Sequence, residues 1–292
     1  MELFIGPKIE ALIDLALTED EVGFDATSAP FFAESDIAEA RLIARHRLIM
    51  AGGPVAEAVF ERIDPEIEWR PKFAEGGEVE AGEIIAELAG PAAALLTGER
   101  TALNFLQRMC GVATTTDEHV RAAGDADLRV ADTRKTIPGW RMLDKYAVRC
   151  GGGANHRFNL AGGVMVKENH VAAAGGIGAA IEKVTASVPH TLKIEVEVER
   201  LDQVGVAVDA GADVVMLDNM DNETMVRAVD EIRAHPRGEE VVIEGSGNID
   251  CERLATLDGV GLDVVSVGAL THSAPAADIS MRFEARETAD EE

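Results

Sequence analysis

From about residue 125 onward, short apolar runs typical of β-strands alternate with segments of helical periodicity. The helical segments include GIGAAIEKVTASV and NETMVRAVDEIRAH. The six strand-like runs are LRVADTRK, GVMVKENH, LKIEVEVE, DVVMLDNM, VVIEGSGN and DVVSVGAL. Parallel neighbours in a sheet need long crossover connections, usually helices, so this alternation predicts a parallel sheet covered by helices.

Each predicted strand ends in polar or charged residues. These ends are residues 132–135, 167–170, 197, 218–219, 244–246 and 266–268. In a (β/α) barrel the carboxyl ends of the strands form the active-site face, whereas an open doubly wound sheet binds ligand at one switch point. Because functional-looking residues end nearly every strand, we favour a barrel over the open sheet.

The N-terminal third of the chain has a different pattern. PKIEALIDLALTED and PVAEAVFERID have the periodicity of amphipathic helices, and DIAEARLIARHRLIMAGG and EGGEVEAGEIIAELAG are typical of short strands bounded by glycine. A further helix is predicted in ALLTGERTALNFLQRMCGVAT. We therefore expect a separate N-terminal α+β domain of about one hundred residues.

The formal net charge of −26, from 53 acidic and 27 basic residues, excludes nucleic acid and anionic membranes as partners. We interpret it as a solvated acidic, halophile-like surface. Residues 132–170 break this pattern, with seven basic residues against three acidic ones. Cations kept together in so acidic a chain predict a site for a small, highly charged anion.

The cysteines and the chain's hydropathy indicate where the protein works. Cys110, Cys150 and Cys251 are odd in number and far apart, which favours a reducing compartment and gives no metal-ligand spacing. No apolar run reaches membrane-spanning length, and MELFIGPKIE lacks the pattern of a signal peptide. We expect a cytoplasmic protein.

The stretch CGGGANHR, residues 150–157, places three glycines before His156 and Arg157. Its spacing fits neither the P-loop nor the dinucleotide fingerprint. We interpret the glycines as permitting a backbone path that bulkier residues could not follow. EGSGNI and SVGAL, at the last two strand ends, are where barrels often hold phosphate, although ordinary tight turns would look the same.

The segment DTRKTIPGWRMLDKYAVRCGGGANHRFNL, followed by VMVKENH, resembles the central signature of the quinolinate phosphoribosyltransferases. The resemblance continues in GERTALNFLQRMCGVAT, IEVEVE, GADVVMLDNM and EGSGNI. It implies an α/β fold with an N-terminal α+β sandwich domain, residues 1–112, then an incomplete (β/α) TIM-like barrel, residues 113–272. The tail, residues 273–292, is expected to pack back on the first domain.

The resemblance also implies an activity. The family transfers phosphoribosyl from phosphoribosyl pyrophosphate to quinolinate with Mg²⁺, giving nicotinate mononucleotide, pyrophosphate and CO₂ in NAD synthesis. It implies a homodimer, or a higher homo-oligomer, whose sites are completed across the subunit interface.

Site roles follow from the same resemblance. Quinolinate would be bound by Arg134, His156, Arg157 and Lys167, with Arg100 donated by the partner subunit. Lys135 would contact the pyrophosphate, and Glu197 and Asp218 would approach the ribose hydroxyls or Mg²⁺. Lys135, Lys167, Glu197 and Asp218 are the candidate catalytic residues. Ser246, Gly247, Asn248 and Gly268 would surround the 5′-phosphate.

Some residues depart from the family pattern or leave alternatives open. Asn248 stands where a second glycine is common, which puts the 5′-phosphate loop in question. Glu197 is chosen over Glu195 and Glu199 by resemblance alone, since alternation puts all three on one face of a strand. Two other functions remain: a class I aldolase-like barrel in which Lys167 forms a Schiff base, and a non-catalytic anion-binding paralogue.

Overall fold

The structure is a computed structural model that describes residues 3–28, 30–33, 35–124 and 127–285. The chain divides into two compact units. The first comprises residues 1–117, 137–152 and 274–292, and the second comprises 118–136 and 153–273. The domain boundaries expected from the sequence stay a prediction. Of the tail expected to pack back, residues 286–292 lie outside the described residues.

The α-helices are α1 (Pro7–Glu19), α2 (Gly53–Ile63), α3 (Ala92–Ala123), α4 (Arg141–Cys150), α5 (Glu168–Ala174), α6 (Ile177–Thr185), α7 (Val204–Asp209), α8 (Asn222–Ala234), α9 (Cys251–Ala255) and α10 (Ala269–His272). The strands are β1 (Ile37–Ala44), β2 (Leu48–Ile49), β3 (Glu68–Pro71), β4 (Glu78–Val79), β5 (Ile84–Pro91), β6 (Arg129–Ala131), β7 (Val164–Val166), β8 (Ile194–Val198), β9 (Val214–Asp218), β10 (Val242–Ser246), β11 (Val264–Ser266) and β12 (Ile279–Ala285). Short 3-10 turns occupy Val22–Phe24, Leu201–Gln203 and Gly238–Glu240.

The first unit is built on a four-stranded antiparallel sheet in the order β12-β1-β5-β3. Along β1 buried and less buried residues alternate, so the strand presents Ala38, Ala40 and Leu42 to the core on one face. The last strand, β12, pairs with β1 from Ala38 to Ala44. The C-terminal segment therefore completes an edge of the sheet of the first unit.

The second unit is a six-stranded parallel sheet in the order β6-β11-β10-β9-β8-β7. Strands β7 to β11 are neighbours in chain order, with no reversal that would mark the switch point of an open doubly wound sheet. Strand β6 lies beside β11, and β6 and β7 are the two edges. Closing the barrel would require β6 to pair with β7. The prediction of an incomplete barrel is confirmed.

All six strand-like runs of the C-terminal half contain strands, but α4 and the short helices α5, α9 and α10 were not predicted. Helix α4 falls inside the segment that carries the family signature, and it belongs to the first unit. It bears Arg141, Lys145 and Arg149, three of the seven cations in the basic window. Among the described residues, no helix combines the length and the apolarity that crossing a membrane requires.

Candidate active site

A cavity of about 800 Å³ opens in the second unit where the parallel strands end. Four cationic side chains and three carboxylates line it, in a chain that otherwise has twice as many acids as bases. The lining residues that carry charge are Arg134, Lys135, Arg157, Lys167, Glu197, Asp218 and Asp250, with His156 and His272 beside them. Such a concentration of cations in one concave site is the arrangement that attracts polyanions.

The loop that carries His156 and Arg157 is held by a buried carboxylate at the end of β6. Asp132 is completely buried, and its two oxygens accept hydrogen bonds from Asn155 Nδ2 (2.7 Å) and from the backbone N–H of His156 (2.9 Å). Ala154 forms a parallel bridge with Ala131, which extends the edge of β6. These contacts fix the backbone conformation of the loop at Asn155 and His156 without any ligand.

The glycines before this loop have the role expected of them at two positions. A Cβ on Gly151 would lie 2.2 Å from the carbonyl oxygen of Ala113, and Gly152 adopts φ +84°. Only glycine fits at position 151, and few L-residues adopt the positive φ found at position 152. These glycines permit a close turn after α4 and do not form a phosphate cradle.

Two guanidinium groups lie close together in the cavity. Burial first, and then repulsion from Arg134, lowers the pKa of Arg157. Arg157 Nη1 donates to the carbonyl of Gly163 at 2.9 Å, which fixes the direction of its guanidinium group. Two cations that disfavour each other's charge gain free energy when an anion bridges them, so this pair suits a carboxylate ligand.

Lys167 and two carboxylates form a second charged group in the cavity. Lys167 Nζ lies 2.6 Å from Glu197 Oε2, and Asn219 Nδ2 donates to Asp218 Oδ2 at 2.7 Å. Oxygens of Glu197, Glu199 and Asp218 lie within 4.8 Å of one another. Hard carboxylate oxygens on adjacent strands suit Mg²⁺, which binds through one or two protein carboxylates while keeping water or substrate oxygens. These residues therefore fit the Mg²⁺ that the sequence resemblance implies.

The turn after β10 has the conformation of a close approach. Gly247 and Asn248 both have positive φ, at +101° and +49°. A Cβ on Gly247 would lie 2.3 Å from Asn219 Oδ1, so only glycine fits between β10 and the end of β9. Ser246, Gly247, Asn248 and Gly268 all line the cavity.

The structure brings together eleven of the twelve predicted site residues in this one cavity. The exception is Arg100, which lies on α3 in the first unit and lines a different cavity there, with Leu12 and Trp140. The sequence analysis assigned no role to the other nine lining residues, which are Thr133, Met165, Met216, Asn219, Ile249, Asp250, Ser266, Ala269 and His272. Thr133, Asn219 and Ser266 lie within the polar strand ends that the sequence analysis identified, but they were not assigned to a ligand.

The three glutamates of β8 and its end diverge in environment although they share a face. Glu195 is 6% exposed and lies in the interior of the second unit, whereas Glu197 lines the cavity and Glu199 is exposed beyond the strand. Alternation along the strand places the three side chains on the same face, and they differ in how deeply each is buried. Glu197 is the one of the three that lines the cavity and contacts Lys167.

Comparison with known families gives two matches that together span most of the chain. Residues 24–110 match the N-terminal domain of quinolinate phosphoribosyl transferase, and residues 112–282 match the C-terminal domain of the same family.

Individual relatives agree with these matches. The probable nicotinate-nucleotide pyrophosphorylase [carboxylating] of Bacillus subtilis is 42% identical, covering 94% of this chain and 93% of that protein. The human nicotinate-nucleotide pyrophosphorylase [carboxylating] is 38% identical, covering 96% and 93%. The crystal structure of NadC from Streptococcus pyogenes superposes with a TM-score of 0.93 at 39% identity, covering 98% of this chain and all of that one.

Proposed function

The chain belongs to the quinolinate phosphoribosyltransferase family, and from this membership we propose that it transfers phosphoribosyl from phosphoribosyl pyrophosphate to quinolinate. The products would be nicotinate mononucleotide, pyrophosphate and CO₂. The observation that carries the proposal for this chain is the cavity itself, where four cations converge in a protein of net charge −26. Both proposed substrates are polyanions.

Quinolinate carries two adjacent carboxylates on a pyridine ring. The Arg134 and Arg157 pair would bind them, because a planar guanidinium group matches a carboxylate with two parallel hydrogen bonds. Lys167 would contribute a third positive charge, and His156 would contact the ring from the adjoining loop position. The mutual repulsion within the arginine pair favours occupancy by a dianion over a neutral pyridine.

The remaining residues would hold the phosphoribosyl donor. Lys135 would contact the departing pyrophosphate, and the turn at Ser246, Gly247 and Asn248, together with Gly268, would approach the 5′-phosphate. Glu197 and Asp218 would hold Mg²⁺ or the ribose hydroxyls. When bound, the metal would neutralise charge that accumulates on the pyrophosphate oxygens.

The reaction needs positioning more than proton transfer. The lone pair of the pyridine nitrogen forms a bond to C1 of the ribose as the bond from C1 to the pyrophosphate oxygen breaks. The quaternised ring then loses its C2 carboxylate as CO₂, the bonding pair stays on C2, and a proton from water replaces it. The cavity supplies fixed positive charge where carboxylate and phosphate charges must be held in line, which is electrostatic and proximity catalysis.

Assembly and location extend the proposal. We propose a homodimer, or a higher homo-oligomer, in which Arg100 enters the cavity of the partner subunit. The free cysteines, two of them buried, and the soluble substrates support a cytoplasmic location.

The ion pair of Lys167 argues against the aldolase alternative. A Schiff-base lysine must present a free neutral amine, whereas Lys167 Nζ forms an ion pair with Glu197 Oε2 at 2.6 Å. Failure of borohydride to trap an adduct with carbonyl compounds would agree with this. The non-catalytic alternative is disfavoured because Lys135, Glu197 and Asp218 all line the cavity.

The test is a parallel assay of quinolinate, nicotinate and nicotinamide, each with phosphoribosyl pyrophosphate and Mg²⁺. We expect nicotinate mononucleotide only from quinolinate, with one CO₂ and one pyrophosphate per turnover. Activity on nicotinate alone would overturn the carboxylating assignment, and no product from any pyridine would favour the non-catalytic paralogue.

Variants of the cavity sharpen the same assay. Arg134→Ala and Lys167→Ala should each lower kcat/KM by about 10²–10³-fold, the loss seen for a preorganised charge contact. Lys183→Ala, on the exposed surface of α6, is the matched control and should retain wild-type activity. Near wild-type kcat/KM in both cavity variants would remove these residues from the site.

A further inference from the structure

A buried trio of ionisable residues lies inside the second unit, and two of its three members have no role in the proposed reaction. The trio consists of His156, Glu195 and Glu244, whose side chains are 12%, 8% and 5% exposed. We call it the interior cluster. His156 lines the active-site cavity and also a second cavity of about 420 Å³, which it shares with Glu195 and Glu244. The cluster is thus in direct contact with the proposed quinolinate site through one residue.

The hydrogen bonds of His156 determine which ring nitrogen carries the proton. The backbone N–H of Arg157 donates to Nδ1 at 2.7 Å, so Nδ1 is an acceptor. A neutral imidazole has one acceptor and one donor nitrogen, and Nε2 must therefore be the donor. Nε2 lies 3.2 Å from Glu195 Oε2, which accepts the hydrogen bond from Nε2–H.

This tautomer decides whether the interior cluster is a metal site or a cluster that shares protons. The three ligand-type atoms lie within 4.8 Å of one another, a spacing that a metal ion could use. A metal at Nε2 would need the lone pair of that atom, and Nδ1 could then not accept from Arg157 without a second proton loss. The geometry therefore favours a proton-sharing cluster over a metal site.

Glu244 is the member of the cluster with an unsatisfied atom. Its Oε1 is buried, makes no hydrogen bond, and lies 3.7 Å from His156 Nε2. Two ionised carboxylates at this depth would repel each other, and a proton on Glu244 removes that repulsion. Burial first, and then repulsion from Glu195, raises the pKa of Glu244 from 4.5 to about 7.

Charged groups around the cluster come from several elements. Those lining the second cavity with it are Arg129 on β6, Arg157 on the loop and Lys193 before β8. Strands β7, β9 and β11 present only Val164, Val214 and Val264 to this cavity. The interaction with His156, a hydrogen bond from Ser266 and attraction to Arg129, in that order, act to lower the pKa of Glu244, but more weakly than burial and Glu195 raise it.

We propose that Glu195 and Glu244 are positioning residues that act on the quinolinate site through His156. Glu195 holds the imidazole as its Nε2–H tautomer, and the proton of Glu244 keeps the interior cluster at one negative charge. Loss of that proton adds a second negative charge beneath a site for a dianion, so quinolinate binding weakens as the pH rises. The inference rests on the proposed function only for the identity of this ligand.

The tautomer is tested without any substrate, by ¹⁵N NMR of the full chain at pH 6.5. The spectrum of His156→Asn assigns the His156 signals among the seven histidines. We expect a neutral ring protonated at Nε2 in the wild type and in Glu195→Gln, which retains an acceptor, and a mixture of tautomers in Glu195→Leu. An imidazolium, or a ring protonated at Nδ1, in the wild type would overturn the proposal even if Glu195→Leu failed to fold.

The charge effect is tested by calorimetric titration with quinolinate between pH 6.0 and 8.5. Relative to Glu244→Gln, the wild-type Kd should rise on the order of fivefold over this range, because only the wild type gains a second charge. Glu182→Gln, an exposed carboxylate of α6, is the control and should follow the wild type. Equal pH slopes in the wild type and Glu244→Gln would overturn the proposal. Absence of quinolinate binding at every pH would instead reject the proposed function, and the NMR result would still decide the tautomer.

Discussion

At the scale of single residues, the turn after β10 shows how conformation limits what the sequence can vary. Gly247 and Asn248 both lie in the left-handed region, which glycine enters freely and asparagine tolerates better than most residues. Asn248 is therefore compatible with the positive φ of +49° that the backbone has at this position. Gly247 has no such freedom, because Asn219 occupies the space that its Cβ would need.

Gly247→Ala tests this turn. The added methyl group would meet both the backbone and the side chain of Asn219, with Oδ1 at 2.3 Å, so either the turn or the end of β9 must move. We expect the KM for phosphoribosyl pyrophosphate to rise by about tenfold or more, with a smaller change in the KM for quinolinate. Initial-rate kinetics with each substrate varied in turn would measure both.

Gly259→Ala is the matched control for Gly247→Ala. Gly259 also has a positive φ, +73°, but nothing lies within 4 Å of the position of its Cβ. It should lose stability from backbone strain alone and keep both KM values. Equal kinetic effects in the two variants would mean that strain, not the contact with Asn219, governs the turn.

At the scale of elements, the parallel strands were predictable and some other elements were not. Each strand of the second unit is an apolar, β-branched run followed by polar residues, a local signal that needs no tertiary information. Helix α4 was missed although Leu143, Tyr146, Ala147 and Cys150 have helical spacing. Its buried Asp144 and Lys145 make the segment look solvated, and only tertiary partners such as Arg108 explain a buried carboxylate. Strand β3, EWRP, is too short and exposed to give a pattern.

An arginine at the end of α8 ties three elements of the second unit together. Arg233 Nη2 contacts both oxygens of Asp263, at 2.9 and 2.8 Å, and Nη1 donates to the carbonyls of Gly238 and Val241. Asp263 in turn accepts from the backbone N–H of Ile243 on β10. The planar guanidinium group makes these contacts together, which a lysine could not.

Arg233→Lys should therefore destabilise the fold without affecting the active site. We expect a loss of about 2 kcal/mol, since at least one charged hydrogen bond remains unmade, and a fall in Tm of several degrees. Both KM values should stay within about twofold of the wild type. Arg227→Lys, exposed on the same helix, is the control and should leave Tm unchanged. An unchanged Tm in Arg233→Lys would show that the contacts of the Arg233 guanidinium group contribute nothing measurable to stability.

At the scale of the whole molecule, the sequence predicted which residues line the cavity better than it predicted which buried residues lie beneath it. Strand-end cations such as Arg134 and Lys167 could be selected because strand ends meet at one face of a barrel. The pairing of Glu244 with Glu195 could not, because β9 lies between β8 and β10 in the sheet, and the approach of the two carboxylates depends on how far each side chain sits below the cavity. The two residues are far apart in the chain, and periodicity within one strand carries no information about a side chain on another.

The net charge of −26 is also a property of the whole molecule, and it predicts a dependence of stability on salt. Surface carboxylates repel one another more in the compact state than in the expanded unfolded chain, so folding is opposed by self-repulsion. Salt shortens the range of this repulsion from about 30 Å at 0.01 M to about 10 Å at 0.1 M and about 3 Å at 1 M. Adding NaCl should therefore raise Tm. The rise should be steepest at low concentration, because the screening length shortens most there.

Thermal unfolding between 0.01 and 2 M NaCl, compared with sucrose at matched osmolality, tests this dependence. Sucrose stabilises proteins by exclusion from their surface and screens no charge, so a rise in Tm with NaCl and not with sucrose at low concentration is the expected result. Binding of the anionic substrates should change in the opposite direction, because the same ions screen the cationic cavity that attracts them. A Tm that is indifferent to NaCl, or that follows sucrose throughout, would mean that the acidic surface does not limit the stability of the fold.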